Sequence, residues 1–164
     1  MSGRGGPRDP GRPDTGPTLC GDAPYGASAV ARALLVREPW AGLIARGVKS
    51  WEIRSRGTAI RGPIAIAAAG TGQLVAICRL VAVEGPLTVE RYVDAWRLWG
   101  GAEPPCVGLP YPATYAWVLA DACALPEPVS YRHPPGAVTW VRLDPTVWRR
   151  VEAAREALRQ RGCG

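Results

Sequence analysis

From Ala33 to Leu143 the chain repeats one device: a short apolar run, a break built on Gly and Pro, then another apolar run. Ala33-Leu34-Leu35-Val36 is brief, apolar and strand-like. Ser50 to Ser55 alternates, with Trp51 and Ile53 on one side and Glu52 and Arg54 on the other, the period of a half-buried strand. Pro63 to Ala69 reads as a buried strand and Gly70-Thr71-Gly72 as the turn that ends it. Leu74 to Val83 predicts a long strand interrupted by Arg79, and Tyr115–Leu125 and Ala137–Leu143 supply the last two. Strands that are mostly sequential, with short connections, predict an α+β protein built on a small, partly closed mixed β-barrel.

Two short helices interrupt the strands. Glu38-Pro39 opens the first, because proline loses nothing in a first helical turn, and Trp40, Leu43 and Ile44 form its apolar face. Gly47 closes it. Thr88 is the predicted N-cap of a second helix running to Trp99, with Val89, Val93 and Trp96 on one face. Asp144-Pro145 opens a C-terminal amphipathic helix that reaches Arg161, with Val147, Val151, Ala154 and Leu158 in a stripe. The segment Gly100–Pro112 is irregular. Residues 1–29 read as a disordered tail, since residues 1–28 hold seven Gly, five Pro and three Arg with no apolar period. The expected organisation is therefore a tail over 1–29, one domain over 30–145 and a helix over 146–164.

Several function classes drop out. The 164 residues contain no stretch near 18 uninterrupted apolar positions, so no membrane helix is expected. The start of the chain lacks the apolar segment of a secretory signal, and a cytoplasmic location is expected. The five cysteines show no CxxC pair, and His133 is the lone histidine, so neither a structural metal nor a disulfide framework is expected. Cys78 and Cys123 lie in apolar runs and read as buried thiols. His133 has no nucleophile tied to it, and no phosphate-binding glycine pattern is present. No cofactor and a monomeric state are expected.

The net charge is +6, carried by 19 arginines and a single lysine, Lys49. A basic chain favours anionic partners. The lysine sits in Gly47-Val48-Lys49-Ser50-Trp51-Glu52-Ile53-Arg54, where a helix, a turn and a strand succeed one another. Glu52 and Arg54 project from one strand face and Lys49 lies at its mouth. Such a cluster can bind an anion and move a proton, or it can be an ordinary ion-paired strand face.

The stretch Arg37-Glu38-Pro39-Trp40-Ala41-Gly42-Leu43-Ile44, then Gly47-x-Lys49-x-x-Glu52-x-Arg54 and Arg61-Gly62-Pro63, resembles the ASCH domain family. Within that family it looks most like the ASCH domain of activating-signal cointegrator type coactivators. Tyr115 to Leu119 is similar to the penultimate strand of the family, and Pro126 to Tyr131, then Gly136 and Trp140 to Leu143, to its closing segment, so the resemblance spans about residues 33–145. It implies a barrel related to the PUA fold, with a cleft between barrel and first helix lined by the GxKxxExR residues. It also implies RNA binding. Some members are acetylcytidine amidohydrolases and others have been assigned single-strand ribonuclease activity. Lys49 matches the amidohydrolase lysine, whereas Glu52 stands where that branch has threonine.

Two functional readings follow. In the first the domain binds RNA or a nucleotide-like ligand, with Arg37, Arg54, Arg56 and Arg61 on phosphates and Trp51, or Trp40, stacking on a base. In the second it is a hydrolase of modified cytidine or single-stranded RNA, with Lys49 and Glu52 as the catalytic pair. A solvated lysine is a poor base at neutral pH, so the second reading needs a desolvated Lys49. Arg149, Arg150, Arg155, Arg159 and Arg161 against Glu152 and Glu156 read as a solvated helix face, with an extension of the nucleic-acid surface or a protein-interaction face as the alternatives.

Overall fold

The structure is a computed structural model, and it describes residues 31–103, 105 and 108–161. Nine elements follow in order: β1 (Arg32–Val36), α1 (Trp40–Ala45), β2 (Trp51–Arg54), β3 (Gly62–Ala68), β4 (Gln73–Glu84), α2 (Val89–Asp94), β5 (Tyr115–Ser130), β6 (Trp140–Arg142) and α3 (Pro145–Arg161). The strands form one six-stranded sheet in the order β2-β5-β4-β3-β1-β6. All neighbours are antiparallel except β1 and β3, which run parallel with Ala33 beside Ala65. A parallel pair needs a crossover, and α1 with β2 provides it.

The sheet is curled, and side chains join its two flanks where no backbone ladder does. Trp117 of β5 stacks on Trp140 of β6 with centroids 5.4 Å apart. Arg54 of β2 reaches the Leu35 carbonyl of β1 at 2.7 Å. The mixed half-barrel with two short helices and a C-terminal helix is thus the fold expected from the sequence.

β3 explains why its run is apolar throughout. Ala65 and Ala67 face one cluster, with Leu74, Ile77, Val141 and Val151, while Ile64, Ile66 and Ala68 face another, with Leu34, Ile44, Leu80 and Trp117. A strand buried on both sides cannot alternate. α3 covers the first face through Val151, with Val147, Ala154 and Leu158 beside it, so the helix shares the domain's core. α1 covers the second through Ala41 and Ile44.

Three local readings change. α1 turns Ala41 and Ile44 inward and leaves Trp40 39% exposed. α2 stops at Asp94, so its buried residue is Tyr92 rather than Val89 or Val93. β5 continues past Leu125 to Ser130. Its register jumps there, from Ala76↔Ala124 to Leu74↔Val129, so Pro126 and Pro128 sit in an irregular stretch that asks no N–H of them.

Cys78 is a buried free thiol. Cys123, read from the sequence as a thiol in a chain expected to hold no disulfide, is disulfide-bonded. No described helix is long and apolar enough to cross a membrane. Among the described residues, no three His, Cys, Asp or Glu side chains gather to hold a metal ion.

Candidate functional site

The turn after α1 is built by one carbonyl. Leu43 O accepts from Val48 N at 3.0 Å and Lys49 N at 3.2 Å, and Gly47 takes a φ of +71° in the left-handed region, the usual glycine ending. This geometry aims the Lys49 side chain inward, where it is only 4% exposed. Its Nζ donates to the Trp51 carbonyl at 2.6 Å and the Trp99 carbonyl at 3.0 Å, and pairs with Glu52 Oε2 at 3.2 Å. An ammonium has three donors, and here three acceptors meet them. The Trp40 ring lies 5.5 Å from the same nitrogen.

The chain of contacts runs on. Glu52, 7% exposed, places Oε1 3.1 Å from Arg54 Nη2. That same nitrogen donates to Leu35 O. Lys49, Glu52 and Arg54 therefore tie the segment after α2 to β2 and β2 to β1, across the mouth of the half-barrel. Gly100 makes room for the lysine: its φ is +84°, and a Cβ there would sit 3.4 Å from Lys49 Cβ and 3.2 Å from Leu43 Cδ1. Burial pushes the Lys49 ammonium below the ordinary lysine range, and the charge and hydrogen bond of Glu52 oppose that shift without cancelling it.

Above this floor lies an open cleft of about 730 Å³. Arg37, Trp40, Lys49, Glu52 and Arg54 all line it, so five residues singled out from the sequence converge. Three others lie elsewhere. Trp51 is 3% exposed and packs with Leu87, Tyr92 and Ala95, under the Arg91 guanidinium at 4.6 Å. Arg56 is exposed outside the cleft, its carbonyl accepting from Trp117 Nε1 at 2.9 Å. Arg61 is exposed at the start of β3 and donates to the carbonyls of Thr58 and Ile60.

The cleft has an aromatic wall that sequence reading did not single out. Tyr92 and Trp99 stack with centroids 4.9 Å apart, and Trp99 Nε1 donates to the Tyr92 carbonyl at 3.0 Å. Tyr111, 39% exposed, and His133 complete it. The Thr88 cap was a legible signal for α2, and Thr88 Oγ1 does accept from Arg91 N. Which face α2 buries depends on where it stops, and nothing local marks that point.

The family pattern of the ASCH domain matches residues 34–128, which takes in the end of β1, the cleft motif and most of β5. The chain belongs to the ASCH domain family. Among solved structures it is similar to ASCH from Zymomonas mobilis, with 15% identity over 76% of this chain and 94% of that one, at a TM-score of 0.56. A Tyr-to-Phe variant of that protein, ZmASCH, superposes with 16% identity over 76% and 98% of the two chains, at a TM-score of 0.54. At such identity the likeness carries the fold. No curated protein matches the chain in sequence.

Proposed function

We propose that this ASCH domain binds an unpaired RNA nucleotide in the cleft beside Lys49. The observation that carries the reading is one juxtaposition: the Arg37 guanidinium, with no acid paired to it among the described residues, shares the cleft with the exposed rings of Trp40 and Tyr111. A cation for phosphate beside aromatic faces for a base is the combination single-stranded recognition uses. Lys49 and Glu52 supply the floor and Arg54 braces it. The narrower likeness to the ASCH domain of activating-signal cointegrator coactivators rests on Pro39-Trp40 and the GxKxxExR spacing, and it fits a binding role.

The test is fluorescence anisotropy with a short single-stranded RNA and its duplex form. Wild type should prefer the single strand. Trp40→Ala should weaken binding by about 1–3 kcal/mol, the range for one base–aromatic stack. Arg37→Ala should lower the magnitude of the salt slope by about 0.7, one single-strand phosphate contact. Unchanged affinity in both variants would remove the cleft from the reading.

One observation favours hydrolysis instead: burial lowers the pKa of Lys49, which helps a lysine act as a base. Against it, all three of its donors are engaged. Lys49→Arg separates the two, because arginine keeps the charge and cannot titrate. A binding domain should retain measurable RNA affinity in this variant with no product from RNA or acetylcytidine in either protein. Product formed by wild type and lost in Lys49→Arg would establish the hydrolase.

A further inference from the structure

At the end of the sheet away from the cleft, two arginines stand directly opposite one another. Arg32 of β1 and Arg142 of β6 are cross-strand partners in the antiparallel register. Cross-strand partners project to the same face, and like charges there are destabilising. Arg142 is exposed on the edge strand and Arg32 is half-buried. Neither meets an acid within ion-pair distance among the described residues.

The pair does not stand alone. β3 lies beside β1 and runs parallel to it, with Ala33 beside Ala65, so Arg61, just before β3, belongs to the same end of the sheet. On β4, Arg79 pairs with Pro63, again at this end, with Asp121 at 4.0 Å as its one acid. Arginines thus reach this rim of the sheet from β6, β1 and β4 and from the residue before β3, with Arg32 and Arg142 together on one face and Arg79, whose partner Pro63 alternates with Ile64, on the other. The cleft opens at the other end of β1, by Leu35 and Arg37.

We infer that this rim is a second anion site, centred on Arg32 and Arg142, that holds a phosphate chain. A bound phosphate chain turns the cross-strand repulsion into a shared attraction. The inference rests on the RNA reading for its source, since a strand with one nucleotide in the cleft would carry further phosphates over the barrel. Inorganic polyphosphate offers the same chemistry without bases.

The experiment uses the full chain as wild type, as the double variant Arg32→Gln with Arg142→Gln, and as Arg142→Glu. Each is titrated with single-stranded RNA and with linear polyphosphate over a range of salt. The double variant should lower the magnitude of the salt slope by about 1.4, two single-strand contacts, with a melting temperature equal to or above wild type. Arg142→Glu should melt higher still, because it creates an Arg–Glu pair across the strands, and should bind both polyanions less. RNA bound with the wild-type slope by both variants would overturn the second site and leave the cleft reading intact. Wild type that ignores RNA but binds polyphosphate through Arg32 and Arg142 would overturn the cleft reading and keep the rim. Wild type that binds neither would overturn both.

Discussion

Glu52→Leu is expected to destabilise the protein by about 3–5 kcal/mol, because it strands the buried Lys49 ammonium without its counter-charge. Lys49 would keep the carbonyls of Trp51 and Trp99, but both are neutral. Arg54 would also lose its carboxylate and keep only Leu35 O among the contacts of that nitrogen. Urea denaturation measures the loss. The double variant Lys49→Met with Glu52→Leu should recover much of it, since replacing a whole buried pair by apolar groups is often neutral. A single variant within 1 kcal/mol of wild type would show that the pair holds nothing together.

The pH dependence has a definite sign. Native Lys49 releases its proton at lower pH than lysine in the unfolded chain. Between those two points the unfolded state binds more protons, so stability contributed by this site rises with pH. Below the native pKa both states hold the proton and the site is pH-independent. In Glu52→Leu the two influences that raise the pKa are gone, so the rise should begin at lower pH. In Lys49→Met it should vanish. Melting temperatures of the three proteins on the alkaline side of neutrality provide the check.

Trp117→Ala is the second large effect expected, about 3–5 kcal/mol for a buried tryptophan. Its ring is 2% exposed, stacks on Trp140 and lies 5.7 Å from the Arg54 guanidinium. Its Nε1 donates to Arg56 O. These contacts close the curled sheet where β5 faces β6 without a ladder, so the hole would open at the seam itself. Trp140→Phe keeps an aromatic face there and should cost clearly less. RNA affinity should fall with Trp117→Ala, because Arg54 braces the cleft floor from the same seam. A loss in Trp140→Phe as large as that in Trp117→Ala would show that an aromatic face at this position does not preserve the seam, and would overturn this account.

Much of this architecture was legible locally. Gly47 after α1, Thr88 before α2 and Pro145 at the start of α3 are short-range signals with short-range causes, and all three stand where the pattern placed them. Alternation put Glu52 and Arg54 on one face of β2, and both line the cleft. Trp51 shows the limit. Alternation assigns it the opposite face, but only the arrival of α2 from some forty residues later makes that face a core with Tyr92 and Ala95. The aromatic wall was hidden for the same reason: Trp99 reaches the site through its carbonyl on Lys49, and a backbone group carries no sequence signature.

Residue spacing alone made the strand and helix succession and the motif that floors the cleft legible. Each of these depends on residues within a turn or two of one another, where spacing fixes geometry. Tertiary structure alone decided the strand order, the closing of the sheet through Trp117, Trp140 and Arg54, and the saturation of Lys49 by three acceptors. It also set the register that places Arg32 against Arg142. Those features join residues far apart in the chain. Their pairing is chosen by the burial of whole faces, and no local pattern of residues can record that choice.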